Sequence, residues 1–411
     1  MANQYEVSDE DLRAALTAEM SHATKTEAAR SLNLERSTYV GRLRLAKRRG
    51  LTPRAATGDD VASLKYRLKT VEAELSQARD NQLTAHLVRR EIIGLRDSAL
   101  AQTPPKWTQE IKKGGKGKSL VPMSIWSDWH WGEVVEKAQV NGVNEYNLEV
   151  AHARADQLLD STINLCLNYT VHGEYPGFVL MLGGDMVSGT IHDELSMSNE
   201  KPIMPIVVDL FGVLLRGIEA LREHFGKVYV VGVVGNHGRT SVRPHFKDHF
   251  FENYDWLIYN LLAKHFENDP AVTFNIPESS DAYFNVWAHR FLLTHGDRLG
   301  VAGGDGIIGA LGPIMRGSFK TRNSSASIGL DFDTLVMGHW HQYIPLPRVI
   351  VNGALKGYDQ FAKDKLRCVP ERAQQALWFV HPTNGIISQQ AVYCDEIGVA
   401  LDHSWVSWVE R

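Results

Sequence analysis

Five short apolar runs in the later part of this 411-residue chain all break off into the same kinds of residue. LVPMSIW leads into SDWHWG, FVLML into GGDMVSG, VYVVGVV into GNHGR, FLLT into HGD, and TLVM into GHWHQ. Short apolar runs bounded by glycine and polar residues read as buried strands. The first three are separated by LEVAHARADQLLDSTINLCLNY and PIMPIVVDLFGVLLRGIEALREHF, each long enough for a helix. That alternation predicts an α/β fold with its functional groups at the carboxyl ends of the strands. Further on, DAYFNVWAHRFLLTH reads as a hairpin, and VIVNG and ISQQAVYC as short strands. The expected layout is sheet with helices on each outer face, not a simple doubly wound sheet.

The strand ends carry Asp128, His130, Asp185, Asn236, His237, His295, His339 and His341. Imidazole, carboxylate and amide oxygens suit Mn²⁺, Fe, Zn²⁺ and related ions. A pair of ions about 3.5–4 Å apart needs a bridging ligand and two flanking sets. Residues two apart on extended chain point the same way, which suits Asp128 with His130 and His339 with His341. The alternative is a scatter of core and surface histidines.

Taken in order, D-x-H, G-D, G-N-H, H-G-D and G-H-x-H resemble the calcineurin-like metallophosphoesterase superfamily over roughly residues 120–360, its SbcD-like nuclease branch included. The resemblance implies a catalytic domain over 120–411 built as a four-layer α/β/β/α sandwich. It implies two divalent metal ions, Mn²⁺ foremost, with Fe, Zn²⁺, Ni²⁺ or Mg²⁺ as alternatives. Asp128, His130 and His341 are implied around one ion, Asn236, His295 and His339 around the other, with Asp185 between them. His237 is implied to steady the transition state of phosphoester hydrolysis or to protonate the leaving oxygen. Asp297 either orients His295 or the surrounding loop, or caps its turn.

Two departures from that pattern stand out. Gly238 follows G-N-H where the family carries Asp or Glu, which removes a supporting carboxylate; Arg239 beyond it faces either a phosphate or solvent. The nuclease branch also places a histidine soon after the bridging aspartate. Here Met186, Val187, Ser188 and Gly189 follow, so either His192 reaches back from a longer loop or that role is absent.

Ahead of this part, residues 8–54 read as short helices, with Asp9 or Ser8 and then Thr26 as caps, a turn at Asn33-Leu34, and a basic helix from Arg36 to about Arg49. They resemble a helix-turn-helix module. Arg36 would open the helix entering the major groove, and Arg42, Arg44, Lys47, Arg48 and Arg49 would meet phosphates. A small bundle with a solvated basic face is the alternative. Residues 59–98 carry Val61, Leu64, Leu68, Val71 and Leu75 at heptad spacing, which predicts one long helix that pairs with a second copy or lies along the catalytic domain. A basic flexible linker is expected over 99–119.

Trp126 reads as core, while Trp129, Trp131 and Trp340 read equally as core or as base-stacking surfaces. Residues 298–327, rich in glycine and carrying Arg298, Arg316, Lys320 and Arg322, read as a mobile loop near the metals or as a structural excursion. Net charge is −4 although basic residues crowd the first third, so any nucleic-acid affinity is local rather than global. Three widely spaced cysteines indicate neither a disulfide framework nor a thiolate site. With no secretory leader or membrane span in view, the expectation is a cytoplasmic protein that binds DNA and no membrane, in the host cytoplasm if the domain combination, which resembles bacteriophage proteins, has that origin.

The expected function is a DNA-directed nuclease or phosphodiesterase. The alternatives are a phosphatase or phosphodiesterase for nucleotides or proteins, and a DNA-binding or scaffold protein that keeps its metals for stability.

Overall fold

The apolar runs become strands β1 (Val121–Trp126), β2 (Phe178–Leu182) and β3 (Val228–Gly232), buried at every position. In the computed structural model the described residues are 7–22, 24–52, 104–110, 120–170, 175–191, 198–241, 243–244, 248–299, 310–366 and 369–396. The chain divides into two compact units, Met1–Arg89 and Arg90–Arg411.

In the second unit, β1, β2, β3 and β4 (Val272–Asn275) run parallel. Next to β1 lies antiparallel β10 (Gln374–His381), followed by β11 (Gly385–Tyr393), giving the order β11-β10-β1-β2-β3-β4. A second sheet is ordered β5-β6-β7-β9-β8, from Asp281–Val286, His289–Thr294, Thr334–Met337, Val349–Val351 and Ile344–Leu346 respectively. The expected hairpin is β5–β6, paired Asp281 to Thr294 through Val286 to His289.

Side-chain alternation explains why the runs are apolar throughout: both faces of these strands are covered. Val179 and Met181 of β2 join Met123, Ile125 and Trp378 against Phe284, Phe291 and Val336 of the other sheet. Phe178, Leu180 and Leu182 point the opposite way, into a core shared with three helices that run Leu148–Asn164 (α5), Ile203–Phe225 (α6) and Tyr254–His265 (α7). On the outer face of the second sheet, Leu292, Leu335 and Val351 pack with Ile314. The unit is thus mixed α/β, with two mixed sheets and helices.

Ile314 belongs to a helix, Leu311–Ser327 (α8), where a loop was expected. Pro313 is tolerated because it sits in the first turn, where the N–H it lacks would have had no intrahelical acceptor. Gly317 lets the helix close on Leu299, since a Cβ there would come 2.8 Å from that side chain. Only the stretch 300–309 of the expected loop lies outside the described residues. The linker needs a similar correction. Residues Lys106–Gln109 form a helical turn (α4), Trp107 packs against the inter-sheet core, and the Thr108 carbonyl accepts the Trp287 N–H at 2.5 Å. The long helix expected over 59–98 lies outside the described residues.

The first unit contains helices Asp9–Ser21 (α1), Lys25–Ser31 (α2) and Arg36–Arg48 (α3). Ser8 caps α1, as expected. Thr24, not Thr26, caps α2, because only Thr24 stands three residues before Glu27 and can form the reciprocal capping box. Asn33 makes the turn at φ 54°. Ala28, Ala29 and Leu43 join the core as expected, but its largest member is Tyr39, which is fully buried and donates its hydroxyl to the Ala15 carbonyl at 3.2 Å. Among the described residues no helix is long and apolar enough to cross a membrane.

A module this small has only a few kcal/mol of stability. Tyr39→Ala removes a large core side chain at a cost of about 3–5 kcal/mol. Hydrogen exchange is expected to show residues 8–50 unprotected in that variant, with the Arg90–Arg411 unit unchanged; retained protection of α1 and α3 would contradict this core assignment.

Candidate metal centre

The loops beyond β1 and β2 continue to pair after the strands end. The N–H groups of Asp128, His130 and Trp131 donate to the carbonyls of Gly184, Asp185 and Met186 at 2.9–3.1 Å. This zips Asp128 and His130 alongside Asp185. The chain past β7 joins them, with the His339 N–H donating to Asp128 Oδ1 at 2.9 Å. At Gly338 a Cβ would lie 2.2 Å from Asp128 Oδ2, so no other residue permits that approach.

Turning these side chains inward requires unusual backbone. Asp128, His130, Asp185, His339 and His341 all have positive φ, between 47° and 69°. Residues with a Cβ in this region cost about 1–3 kcal/mol each and cluster at functional sites. Five of the seven expected metal ligands carry that strain.

The expected ligands converge into linked groups of nearby donor atoms. Asp128, His130 and His341 form one, Asp185, His295 and His339 another, and His130, Asp185 and His237 a third that connects them. His130 Nε2 and His341 Nε2 face each other at 3.2 Å, and His341 Nε2 is 3.3 Å from Asp128 Oδ1. Imidazoles bound to one ion at about 2.1 Å place their nitrogens about 3 Å apart. His295 Nε2 is 3.0 Å from Asp185 Oδ2. Asn236 Oδ1 is buried without a hydrogen-bond partner. An orphaned amide oxygen beside crowded imidazoles and carboxylates fits a divalent cation of intermediate softness.

Each half of the site has a support that the sequence reading did not find. Behind Asp128, Ser127 Oγ donates to Oδ2 at 2.5 Å and receives Asn352 Nδ2 at 2.9 Å, while Gln375 Oε1 accepts the Ser127 N–H at 2.9 Å. Beside His130, Glu133 Oε2 lies 3.3 Å from Nδ1, which keeps the proton there and the lone pair on Nε2. Lys356 in turn holds Glu133 at 3.1 Å and Asp359 at 2.5 Å, all three buried. Of these, Ser127 opens the SDWHWG motif and Glu133 stands three residues after His130. The others come from distant segments with no spacing to mark them.

Burial pushes the His130 imidazole down to about 3 and His339 to about 4, so both are neutral and ready to ligate at pH 7. Burial also opposes a proton on His295, but Asp185 and Asp128 outweigh it and raise that group well above the ordinary histidine range. Asp185 is held well below the usual carboxylate range because His295 and His237 overcome the cost of its burial.

His237 Nδ1 is 3.0 Å from the Ser188 carbonyl, and its backbone N–H donates to Asp185 Oδ1 at 2.6 Å. Its ring stands 4.5 Å, centre to centre, from that of His130. His237 and Asp185 border an open cleft of about 710 Å³, also lined by Glu133, Glu136, Lys356 and Asp359.

Several expected roles change. The Nδ1 of His295 meets the Gly183 carbonyl at 2.8 Å, and Asp297 pairs with Arg298 at 3.6 Å while its charge helps raise His295. Arg239 Nε is turned onto the Ser241 carbonyl at 2.9 Å, beside Asn236 in a small crevice. Trp129 and Trp131 are core residues, their indole N–H groups given to Gln375 and Asp209, and so offer no stacking surface; Trp340 is half-buried against His339. Arg322 lies over the Phe332 ring rather than over the site. His192 lies outside the described residues.

In the first unit, Arg42, Lys47 and Arg49 pair with Asp11, Glu19 and Asp9 of α1 at 3.4, 2.8 and 2.8 Å. Arg36, Arg44 and Arg48 are exposed on α3 and make no ion pair among the described residues. The basic face is therefore narrower than its sequence suggests.

Compared with known protein families and with curated proteins, the chain matches none.

Adding Mn²⁺ to chelator-treated protein is expected to raise its Tm, by the equivalent of about 2.7 kcal/mol at a hundredfold excess over Kd. The gain has a definite pH sign. A raised His295 stabilises the metal-free fold fully below the ordinary value near 6.5 and loses that contribution as pH rises through its raised value. The ion must displace this proton, so the gain grows with pH. A Tm gain independent of pH between 5.5 and 8 would contradict the assignment of His295.

Proposed function

We propose that this protein is a dinuclear-metal-dependent phosphoester hydrolase of the calcineurin-like metallophosphoesterase type, built as a four-layer α/β/β/α sandwich and directed to DNA. One observation carries the chemistry: two groups of donor atoms from the ends of both sheets meet through Asp185 and His130, in strained backbone, at the edge of a cleft. The successive cores, helices on sheet, sheet on sheet, and sheet on α8, support the four-layer reading. A scaffold that held metal for stability alone would not need His237 open to the cleft.

Asp128, His130 and His341 would hold one ion and Asn236, His295 and His339 the other, with Asp185 shared. Bound there, the ions supply Lewis-acid polarisation of a phosphoester and of water. The protein supplies the rest. Lys356 and Glu133 fix the His130 ring, and the Ser188 carbonyl fixes His237 as the tautomer with its proton on Nδ1. Nε2 of His237 then carries the lone pair that would take a proton before passing it to a leaving oxygen.

Direction to DNA rests on the exposed row Arg36, Arg44 and Arg48 of a compact three-helix unit. The cleft favours a second reading, a nucleotide or other small phosphodiester. Its size is that of a small-molecule site, and Lys356, the one lysine among its described lining residues, is already paired with Glu133 and Asp359, which leaves little to attract a long polyanion.

With Mn²⁺, the protein is expected to cleave labelled single- or double-stranded DNA, with activity lost in Asp185→Ala and kcat about 10²–10⁴-fold lower in His237→Ala. Activity on a bis-aryl phosphodiester but not on DNA would move the substrate to small diesters; activity on neither would overturn the hydrolase. In DNA binding, replacing Arg36, Arg44 and Arg48 by alanine is expected to flatten the slope of log K against log salt by about 2.7, or about 0.9 per lost phosphate contact. An unchanged slope would remove α3 from the interface.

A further inference from the structure

Asp255 takes no part in the chemistry described above, yet it is fully buried between the two loops that carry Asp185 and Asn236. It lies in the first turn of α7. Its Oδ2 accepts the backbone N–H groups of Asp185 and Gly235, each at 3.0 Å, and its Oδ1 accepts that of Met186 at 3.2 Å. Asn253 completes the clamp, giving Nδ2 to the Gly235 carbonyl and receiving the Asp255 N–H on Oδ1, both at 2.8 Å. No lysine, arginine or histidine pairs with Asp255 among the described residues. A buried carboxylate is costly unless its lone pairs are used, and here backbone amides of the metal loops use them.

Gly238 is what admits this carboxylate. A Cβ at position 238 would lie 2.3 Å from Asn253 Oδ1 and 3.0 Å from the Asp255 carboxyl carbon. Any side chain there would push the clamp off its amides. The carboxylate that the sequence lacks after G-N-H is therefore supplied by α7, in the space that the glycine leaves empty.

The two halves of the centre are supported differently. The Asp128 side rests on Ser127, Asn352 and Gln375, and the Asn236 side rests on Asp255. We infer that Asp255 is a positioning residue: by tying the β2 loop to the β3 loop it fixes Asp185 relative to Asn236, and so sets the affinity of the ion site formed by Asn236, His295 and His339. This inference rests on the two-ion reading above.

The test is Mn²⁺ binding to chelator-treated full-length protein, by calorimetry with electron paramagnetic resonance of the bound pair, together with metal-free Tm. Wild type is expected to take up two ions with a spin-coupled signal. Asp255→Asn turns an accepting oxygen into an NH₂ group facing a backbone N–H. It is expected to bind one ion at near wild-type affinity and the other about 10–100-fold more weakly, losing the coupled signal. Gly238→Ala keeps the carboxylate but displaces it, and is expected to weaken the same ion; it also serves if Asp255→Asn does not fold. Two ions at wild-type affinity in both single variants would overturn the inference while leaving the centre intact. Equal weakening of both ions alongside a lower metal-free Tm would reduce Asp255 to a structural role and overturn it too. Fewer than two ions in wild type would overturn the two-ion reading and this inference with it.

Discussion

The structure turns on one electrostatic fact: two buried carboxylates and four imidazoles point their lone pairs at one another where strands of both sheets end. Asp128 and Asp185 are almost wholly buried, and no lysine or arginine reaches either among the described residues. Among the described residues their close cationic partners are histidines, which burial pushes towards the neutral form at His130 and His339. A divalent cation resolves that conflict with a single charge centre, which protons on the histidines do only in part.

The rest of the fold serves to hold that arrangement against its own strain. Five left-handed non-glycine residues would relax if their loops were free. They are kept in place by backbone bonds between the β1 and β2 loops, by Ser127 with Asn352 and Gln375 on one side, and by Asp255 on the other. Gln375 lies on β10, antiparallel to β1, so the strand added next to β1 also anchors the first half of the site. Sheet packing and site geometry are in this way one problem.

Much of this was legible in the sequence, for a physical reason. Strands buried on both faces must be apolar throughout, so the turn where each run breaks off into Asp, His or Asn marks a strand end directly. The supports were not legible, because Asp255, Lys356 and Gln375 lie in segments without periodic or motif context and Asn352, at the end of the VIVNG strand, has no ligand motif around it; only the fold brings them to the site. β10 was missed because QQALWFVH opens on two glutamines that look like solvent-facing residues, although Gln375 is buried as part of the anchor. Glycines between 302 and 317 suggested a loop; α8 forms because Gly317 stands where the helix closes against Leu299, and that packing outweighs the low propensity of its glycines. On α3, a count of basic residues does not reveal which of them are paired, since pairing with α1 acids is a property of the packed helices rather than of either sequence alone.

The most direct measurement is anomalous diffraction at the manganese edge from crystals grown with Mn²⁺. The account predicts two peaks about 3.5–4 Å apart, with Asp185 between them, Asp128, His130 and His341 around one, and Asn236, His295 and His339 around the other. A single peak, or peaks away from these side chains, would contradict it.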